Sequence, residues 1–302
     1  MNGLLLTTPR AWVRRHVLSR LPGVDVASAL QGRTILVTGA SSGIGEATAV
    51  AVARRGATPI LVARRADELA RVVAAIEEVG GEAFAYPCDL TDADAVDRMV
   101  ATVLDGHGGV DMLVNNAGRS IRRSLALSYD RAHDFERTMT LNYLAPVRLI
   151  LGLLPHMVER GSGHVVNVVT WGVQVKAPKF AAYIASKTAL DTFSRIAGRE
   201  TYGAGVTFTN VRLPLVRTDM IGPTDAYRRT PALSVDQAAA RVVRALEDRP
   251  LTISTAVGNV AEIANLVAPR LSDAISHAAA RRFPDSRAAA GHTRQARHAR
   301  HE

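Results

Sequence analysis

The sequence predicts an α/β fold, a doubly wound parallel sheet in a single domain, and three observations carry that expectation. Short apolar runs alternate with amphipathic stretches through most of the 302 residues. The runs lack the polar alternate residues of a sheet with one wet face, as expected of strands covered on both sides. A glycine-rich turn, Thr38-Gly39-Ala40-Ser41-Ser42-Gly43-Ile44-Gly45, separates the first run from the first amphipathic stretch.

Taken in order, Ile35-Leu36-Val37 is the first strand, and a helix runs from about Ile44 to Arg55. Ile60-Leu61-Val62 is the second strand, followed by a helix over Asp67 to Val79. Ala83 to Tyr86 is the third strand, followed by a helix from Asp92 to Leu104, and Met112-Leu113-Val114 is the fourth. Asp134 to Val158 predicts one long helix bent at Pro146, where an imide removes a backbone donor. The fifth strand is Val165 to Val169 and the next helix Ala181 to Arg199. Val206 to Val211 is the sixth strand, Val235 to Glu247 a helix, and Leu251 to Ser254 the last strand. Beyond Gly258 an Ala-rich helical segment extends to about residue 286. Its apolar part, Asn259 to Leu271, fits a pocket cover or an oligomer helix, with a core helix the preferred reading. Residues 287–302 have the polar, Arg- and His-rich composition of a disordered basic tail. The divisions expected are therefore a basic extension over 1–32, a catalytic unit over 33–258, a helical segment over 259–286 and the tail.

The net charge of +9 sits at the ends. Residues 1–33 carry five Arg against Asp25, and residues 281–302 carry six Arg against Asp285 and Glu302, which leaves +1 for the middle. Solvated termini or attraction to an anionic lipid surface or polyanionic substrate both fit. A short amphipathic segment over 11–21, with Trp12, Val13, Val17 and Leu21 on one side, fits a peripheral membrane contact or docking on the domain itself. Aromatics are scarce among the basic residues, so no nucleic-acid binding is expected. Cys88 is the single cysteine, which suits a reducing, cytoplasmic setting, and the histidines show no metal-ligand spacing.

Chemistry enters with Tyr183 and Lys187, one helical turn apart, thirteen residues beyond Thr170. A phenol with a pKa near ~10 is a weak acid at neutral pH, and a nearby ammonium favours its ionised form. Tyr183 is therefore expected to serve as a proton donor with its pKa lowered by Lys187, and Thr170 as a hydroxyl holding a carbonyl oxygen. The glycine-rich turn would let backbone approach a pyrophosphate at a helix N-terminus. Arg64 and Arg65 follow the second strand, where an acidic residue would select NAD. A guanidinium there, helped by the hydroxyl of Ser41, favours the 2′-phosphate of NADP(H).

Together these residues resemble the ordered motifs of the short-chain dehydrogenases/reductases, over about 33–258: Thr38 to Gly45, Asp89-Leu90, Asn115-Asn116-Ala117-Gly118, Asn142, Thr170, Tyr183 and Lys187. The resemblance implies a Rossmann-type fold and a catalytic set of Asn142, Thr170, Tyr183 and Lys187, with Thr170 where most of the superfamily has Ser. It implies a cofactor set of Gly39, Ser41, Ser42, Gly43, Ile44, Gly45, Arg64, Arg65, Asp89, Leu90, Asn115, Ala117, Gly118, Tyr183, Lys187, Pro214, Val216 and Thr218. Asp89 and Leu90 would flank the adenine, Asn142 would bind a water of a proton relay, and Lys187 would hold the nicotinamide ribose. Dimers or tetramers are the implied assemblies.

A narrower likeness lies in Asn115 to Arg123, His133 to Met139 and Pro214-Leu215-Val216-Arg217-Thr218, which resemble bacterial long-chain fatty acyl-CoA reductases. It implies an acyl-CoA or fatty aldehyde substrate reduced with NADPH. Arg119, Arg122 and Arg123 are then either partners for coenzyme A phosphates or members of ion pairs with Asp130, Asp134 or Glu136. The same residues also serve a keto or hydroxyl oxidoreductase on a 3-oxoacyl lipid or steroid, or a non-catalytic NADP(H)-binding protein.

Overall fold

A computed structural model describes residues 29–221, 230–281, 283 and 285. Among these residues seven strands form one sheet, all parallel: β1 (Thr34–Thr38), β2 (Thr58–Ala63), β3 (Phe84–Pro87), β4 (Met112–Asn115), β5 (Gly163–Thr170), β6 (Val206–Leu213) and β7 (Thr252–Ile253). Their order across the sheet is β3-β2-β1-β4-β5-β6-β7. The chain runs outward from β1 to β3 and then crosses back to β4, so the winding reverses between β1 and β4. A cleft opens at the carboxyl ends of strands at such a reversal. The central strands are apolar along their length because both faces are covered: Ile35, Leu36, Val37, Leu113 and Val114 are fully buried.

One face is covered by α1 (Gly43–Ala53), α2 (Ala66–Glu77) and, later in the chain, α8 (Val235–Asp248). The other is covered by α3 (Ala93–His107), α5 (Ala145–Glu159) and α7 (Ala181–Glu200). Asp92 caps α3 by accepting from the N–H of Ala95 at 3.0 Å, and Gly108 ends it in the left-handed region. Ser234 and Gln237 make a reciprocal capping box on α8.

The long helix expected over Asp134 to Val158 departs from a simple bend at Pro146. It consists of α4 (Ala132–Met139), a π-helical turn over Thr140–Leu144, and α5. Pro146 lies in the first turn of α5, and its missing N–H faces the carbonyl four residues back, on Asn142. The turn widens there, with the N–H of Ala145 reaching Thr140 O instead, and the irregularity falls upstream of the proline. The 28-residue run Ala132–Glu159 is long and apolar enough to cross a membrane by length and composition. Its apolarity has a local cause, since Leu149, Ile150, Leu153 and Met157 are buried in the core beneath the sheet.

The C-terminal pair, α9 (Ala256–Val267) and α10 (Pro269–Arg281), corrects the core reading of Asn259 to Leu271. Val257, Val260, Ile263, Leu266 and Val267 stand 63% to 82% exposed. The helix instead bonds to the body of the molecule through its polar residues, Glu262 staying 52% exposed as it does so. Asn259 and Glu262 accept from Gln174 Nε2 at 2.9 and 2.8 Å, Asn265 donates to Gln174 O, and Glu262 pairs with Arg212 at 3.1 Å. Residues 1–28 of the basic extension, with its segment 11–21, and the tail over 287–302 lie outside the described residues.

Candidate active site

A cavity of about 830 Å³ lies along the carboxyl edge of the sheet, at the upper end of the range for small-molecule sites. Its walls are the segments that follow the strands: Gly39 to Ile44 after β1, Arg64 and Arg65 after β2, Cys88 to Thr91 after β3, Asn116 to Ser120 after β4, Thr170 and Trp171 at the end of β5, and Leu213 to Val216 after β6. Tyr183 and Lys187 of α7 and Thr218 complete it. Of the three arginines after β4, Arg123 does not line it, and of the catalytic and cofactor residues singled out in the sequence, only Gly45, Asn115 and Asn142 do not.

Each of those three shapes the wall from behind. A Cβ on Gly45 would stand 2.1 Å from Gly39 O, so a glycine lets α1 press against the loop. Asn115 is buried and donates to Asn167 Oδ1 at 2.9 Å, tying β4 to β5. Asn142 clasps the backbone of Arg119, accepting from its N–H and donating to its carbonyl, both at 2.8 Å, and donates to Ser186 Oγ at 3.0 Å. Both amide donors of Asn142 are thereby engaged. Ser186 links Asn142 to α7 by donating to Tyr183 O at 2.8 Å.

The loop between β1 and α1 has the features of an anion cradle. Gly39 and Gly43 take φ of +64° and +57°, and the N-cap Ser42 keeps its side chain off the helix it precedes. A Cβ on Gly39 would lie 3.0 Å from Ala117 Cα and one on Gly43 3.5 Å from Thr218 Cγ2, so the loop runs close beneath both walls. Thr38 Oγ1 accepts from the N–H groups of Asn116 and Ala117, each at 3.0 Å, and donates to Val114 O. The side chain of Asn116 returns a bond to Thr38 O at 2.9 Å. These residues fit a dinucleotide: backbone donors and a helix N-terminus at one point, and room that side chains would close.

Farther along, Asp89 accepts from the N–H and the hydroxyl of Thr91, and that backbone bond first of all holds its carboxyl below the usual range. Arg64 adds to the effect from the cavity wall. Arg65 is half committed elsewhere, 3.6 Å from Glu68 on exposed surface. Arg71, not singled out in the sequence, reaches Ser41 O at 3.2 Å while paired with Glu46 at 2.7 Å.

At the reacting end, Thr170 Oγ1 accepts from the N–H of Gly172 at 3.1 Å, and Lys187 Nζ donates to Val168 O at 2.9 Å. Tyr183 is half-buried as a residue, yet its phenol is desolvated and its pKa is pushed up to about 12, the Thr170 hydroxyl pulling it partly back. Desolvation brings the Lys187 ammonium down to about 8. The expected lowering of Tyr183 by Lys187 does not appear: burial raises the phenol, the Thr170 hydroxyl is what opposes that rise, and near neutral pH Tyr183 holds its proton. A Cβ on Gly118 would sit 3.2 Å from Asn142 Oδ1 and 3.4 Å from Lys187 Nζ, so a larger residue would crowd both.

The arginines after β4 separate. Arg123 pairs with Asp134 at 3.5 Å, Arg122 reaches Phe283 O at 2.9 Å, and Arg119 faces the cavity, its pKa lowered by burial and by Arg137 and Arg64. Phe283 also lines the cavity, and its carbonyl accepts from Lys179 Nζ at 2.5 Å. Cys88 is buried beside Asp89, and desolvation raises its thiol.

This geometry has counterparts in known proteins. Residues 33–228 match the short chain dehydrogenase family. The chain belongs to that family. It is 48% identical over 285 residues to an uncharacterized oxidoreductase of Mycobacterium tuberculosis, covering 93% of this chain and 84% of that one. It is 46% identical over 262 residues to a fatty acyl-CoA reductase of Acinetobacter baylyi, covering 87% and 89%. Among solved structures, a metagenomic short-chain oxidoreductase in complex with NADP superposes with a TM-score of 0.64 at 31% identity, covering 73% of this chain and 93% of that one. The chain is thus a short-chain oxidoreductase of a family that uses NAD(P)(H), with a fatty acyl-CoA reductase among its relatives.

Proposed function

We propose that the protein is an NADPH-dependent reductase of long-chain acyl-CoA thioesters or the corresponding aldehydes. The observation that carries this reading is the convergence of Thr170, Tyr183 and Lys187 on the same cavity as the glycine-rich loop and Arg64. The likeness to the Acinetobacter fatty acyl-CoA reductase supports the substrate class. Arg64 beside Asp89, with no acidic residue ending β2, supports NADPH over NADH.

Bound there, the cofactor supplies a hydride. Gly39, Ser41, Ser42, Gly43 and Ile44 would receive its pyrophosphate, Arg64 and Arg65 its 2′-phosphate, Asp89 and Leu90 its adenine, and Ala117, Gly118, Pro214, Val216 and Thr218 the remainder. Tyr183 gives its proton to the carbonyl oxygen as the carbon is reduced, and Thr170 holds that oxygen. The desolvated phenolate left behind is offset by the Lys187 ammonium one turn away. Asn142 fixes the Arg119 backbone and, through Ser186, the first turn of α7. With a thioester, the hemithioacetal breaks its C–S bond, the thiolate takes a proton, and aldehyde and free coenzyme A leave. No protein thiol takes part, since Cys88 is buried and poorly ionised.

The test is to incubate the protein with NADPH and palmitoyl-CoA and to assay free thiol with aldehyde or alcohol. NADPH oxidation matched by thiol release is expected, whereas reduction of 3-oxoacyl or steroid ketones without thiol release would overturn the substrate class. NADPH binding without oxidation of any carbonyl would overturn catalysis itself. Arg64→Ala should weaken NADPH by roughly tenfold to a hundredfold, the ~1.5–3 kcal/mol of a charge-assisted bond, and leave NADH binding nearly unchanged.

A further inference from the structure

In α9 the usual direction of amphipathicity is reversed. Asn259, Glu262 and Asn265 bond to Gln174 and Arg212 on the body of the molecule, the first two from the exposed edge of the helix, while Val260, Ile263 and Val267 form one outward stripe. α10 packs on α9 and continues the apolar surface with Leu271 and Ile275, 61% and 62% exposed. An apolar surface of this kind marks a docking face.

Charge says what docks. The acidic group of α9 is spent inward on Arg212, and Arg270 and Arg281 stand exposed at the two ends of α10, with Asp273 and His277 also on that helix. From Arg281 the chain continues through 22 residues carrying six Arg against two acids. A second copy placed face to face would bring two such +4 segments together. An anionic lipid surface would neutralise them, at about 1 kcal/mol per basic residue near the surface. The chain leaving α10 also reaches the cavity: two residues past the helix, Phe283 lines it, its carbonyl accepting from Arg122 and Lys179, and Asp285 accepts from the N–H of Ser124 at 3.0 Å. We propose that the outward face of α9 and α10 docks the protein on an anionic bilayer, with the rim of the cavity turned toward the lipid.

The proposal needs no particular substrate, and its test does not measure activity. Full-length protein is sedimented with phosphatidylcholine vesicles, with and without phosphatidylglycerol, alongside the double variant Val260→Glu/Val267→Glu. Both positions are more than two-thirds exposed, at 67% and 75%, so the variant is expected to keep its fold and melting temperature. The expected result is binding to phosphatidylglycerol vesicles that falls at least about tenfold in the variant, with solution mass unchanged. Equal sedimentation of both proteins would overturn it. So would a wild type that ignores vesicles while the variant halves in mass, which assigns the face to a second copy. A wild type that ignores vesicles while the variant melts earlier would assign it to another segment of this chain.

Discussion

Helices α7 and α9 both turn polar side chains toward the body of the molecule, and the two differ in what surrounds those side chains. On α7, Ser186, Lys187 and Asp191 are buried among apolar neighbours such as Leu190, and Tyr183 reaches the cavity. The apolar side chains share that buried face, so the helix is anchored by packing, and Tyr183 is left to face the cavity. On α9 the polar residues are the anchor, through Gln174 and Arg212, and the apolar ones are left outside. Inward polarity therefore marks a reacting site only where an apolar core carries the stability.

Breaking the packing of α7 should give the largest effect. Leu190→Ala removes a fully buried side chain and should cost about 2–5 kcal/mol in denaturant unfolding. Next, Thr170→Val keeps the shape beside Tyr183 but removes the hydroxyl; kcat should fall roughly 10²–10³-fold with the melting temperature held, whereas Thr170→Ser should stay active. A smaller, graded effect comes from pH. Lys187 in the free enzyme loses its charge above about 8 while Tyr183 keeps its proton to about 12, so kcat/KM for reduction should decline above pH 8, approaching tenfold per unit. A flat profile from pH 7 to 10 would show that the ammonium does not support the phenol. Last, Ile263→Ala on α9 should change stability by less than about 0.5 kcal/mol. A cost near that of Leu190→Ala would mean the outer face of α9 is covered.

The same contrast explains what could be read in the sequence. Strand runs such as Ile35-Leu36-Val37 are legible because burial on both faces leaves no polar interruption, and α7 begins at Ala181 as its pattern indicates. The glycine-rich loop and the segment after β4 are legible because backbone close approach restricts residue type. Periodicity, however, identifies a helix face without saying which way it points, and α9 reads as a core helix for that reason. Gln174 is not legible because its helix, α6 (Gly172–Val175), is too short to show a period. The π-turn at Asn142 escapes because a missing donor at Pro146 acts four residues upstream, and Phe283 joins the rim from 161 residues beyond Arg122. The sign of the Tyr183 shift depends on desolvation, which spacing to Lys187 does not report.

The central claim is direct hydride reduction with a tyrosine proton donor and no protein thiol. Rates of thiol release from palmitoyl-CoA with saturating NADPH, measured side by side for Tyr183→Phe and Cys88→Ser with cofactor binding checked for each, test it most directly. The account predicts a loss of roughly 10²–10⁴-fold for Tyr183→Phe and a rate near wild type for Cys88→Ser. A Tyr183→Phe enzyme that still turns over normally, or a Cys88→Ser enzyme that binds NADPH yet releases no thiol, would contradict it.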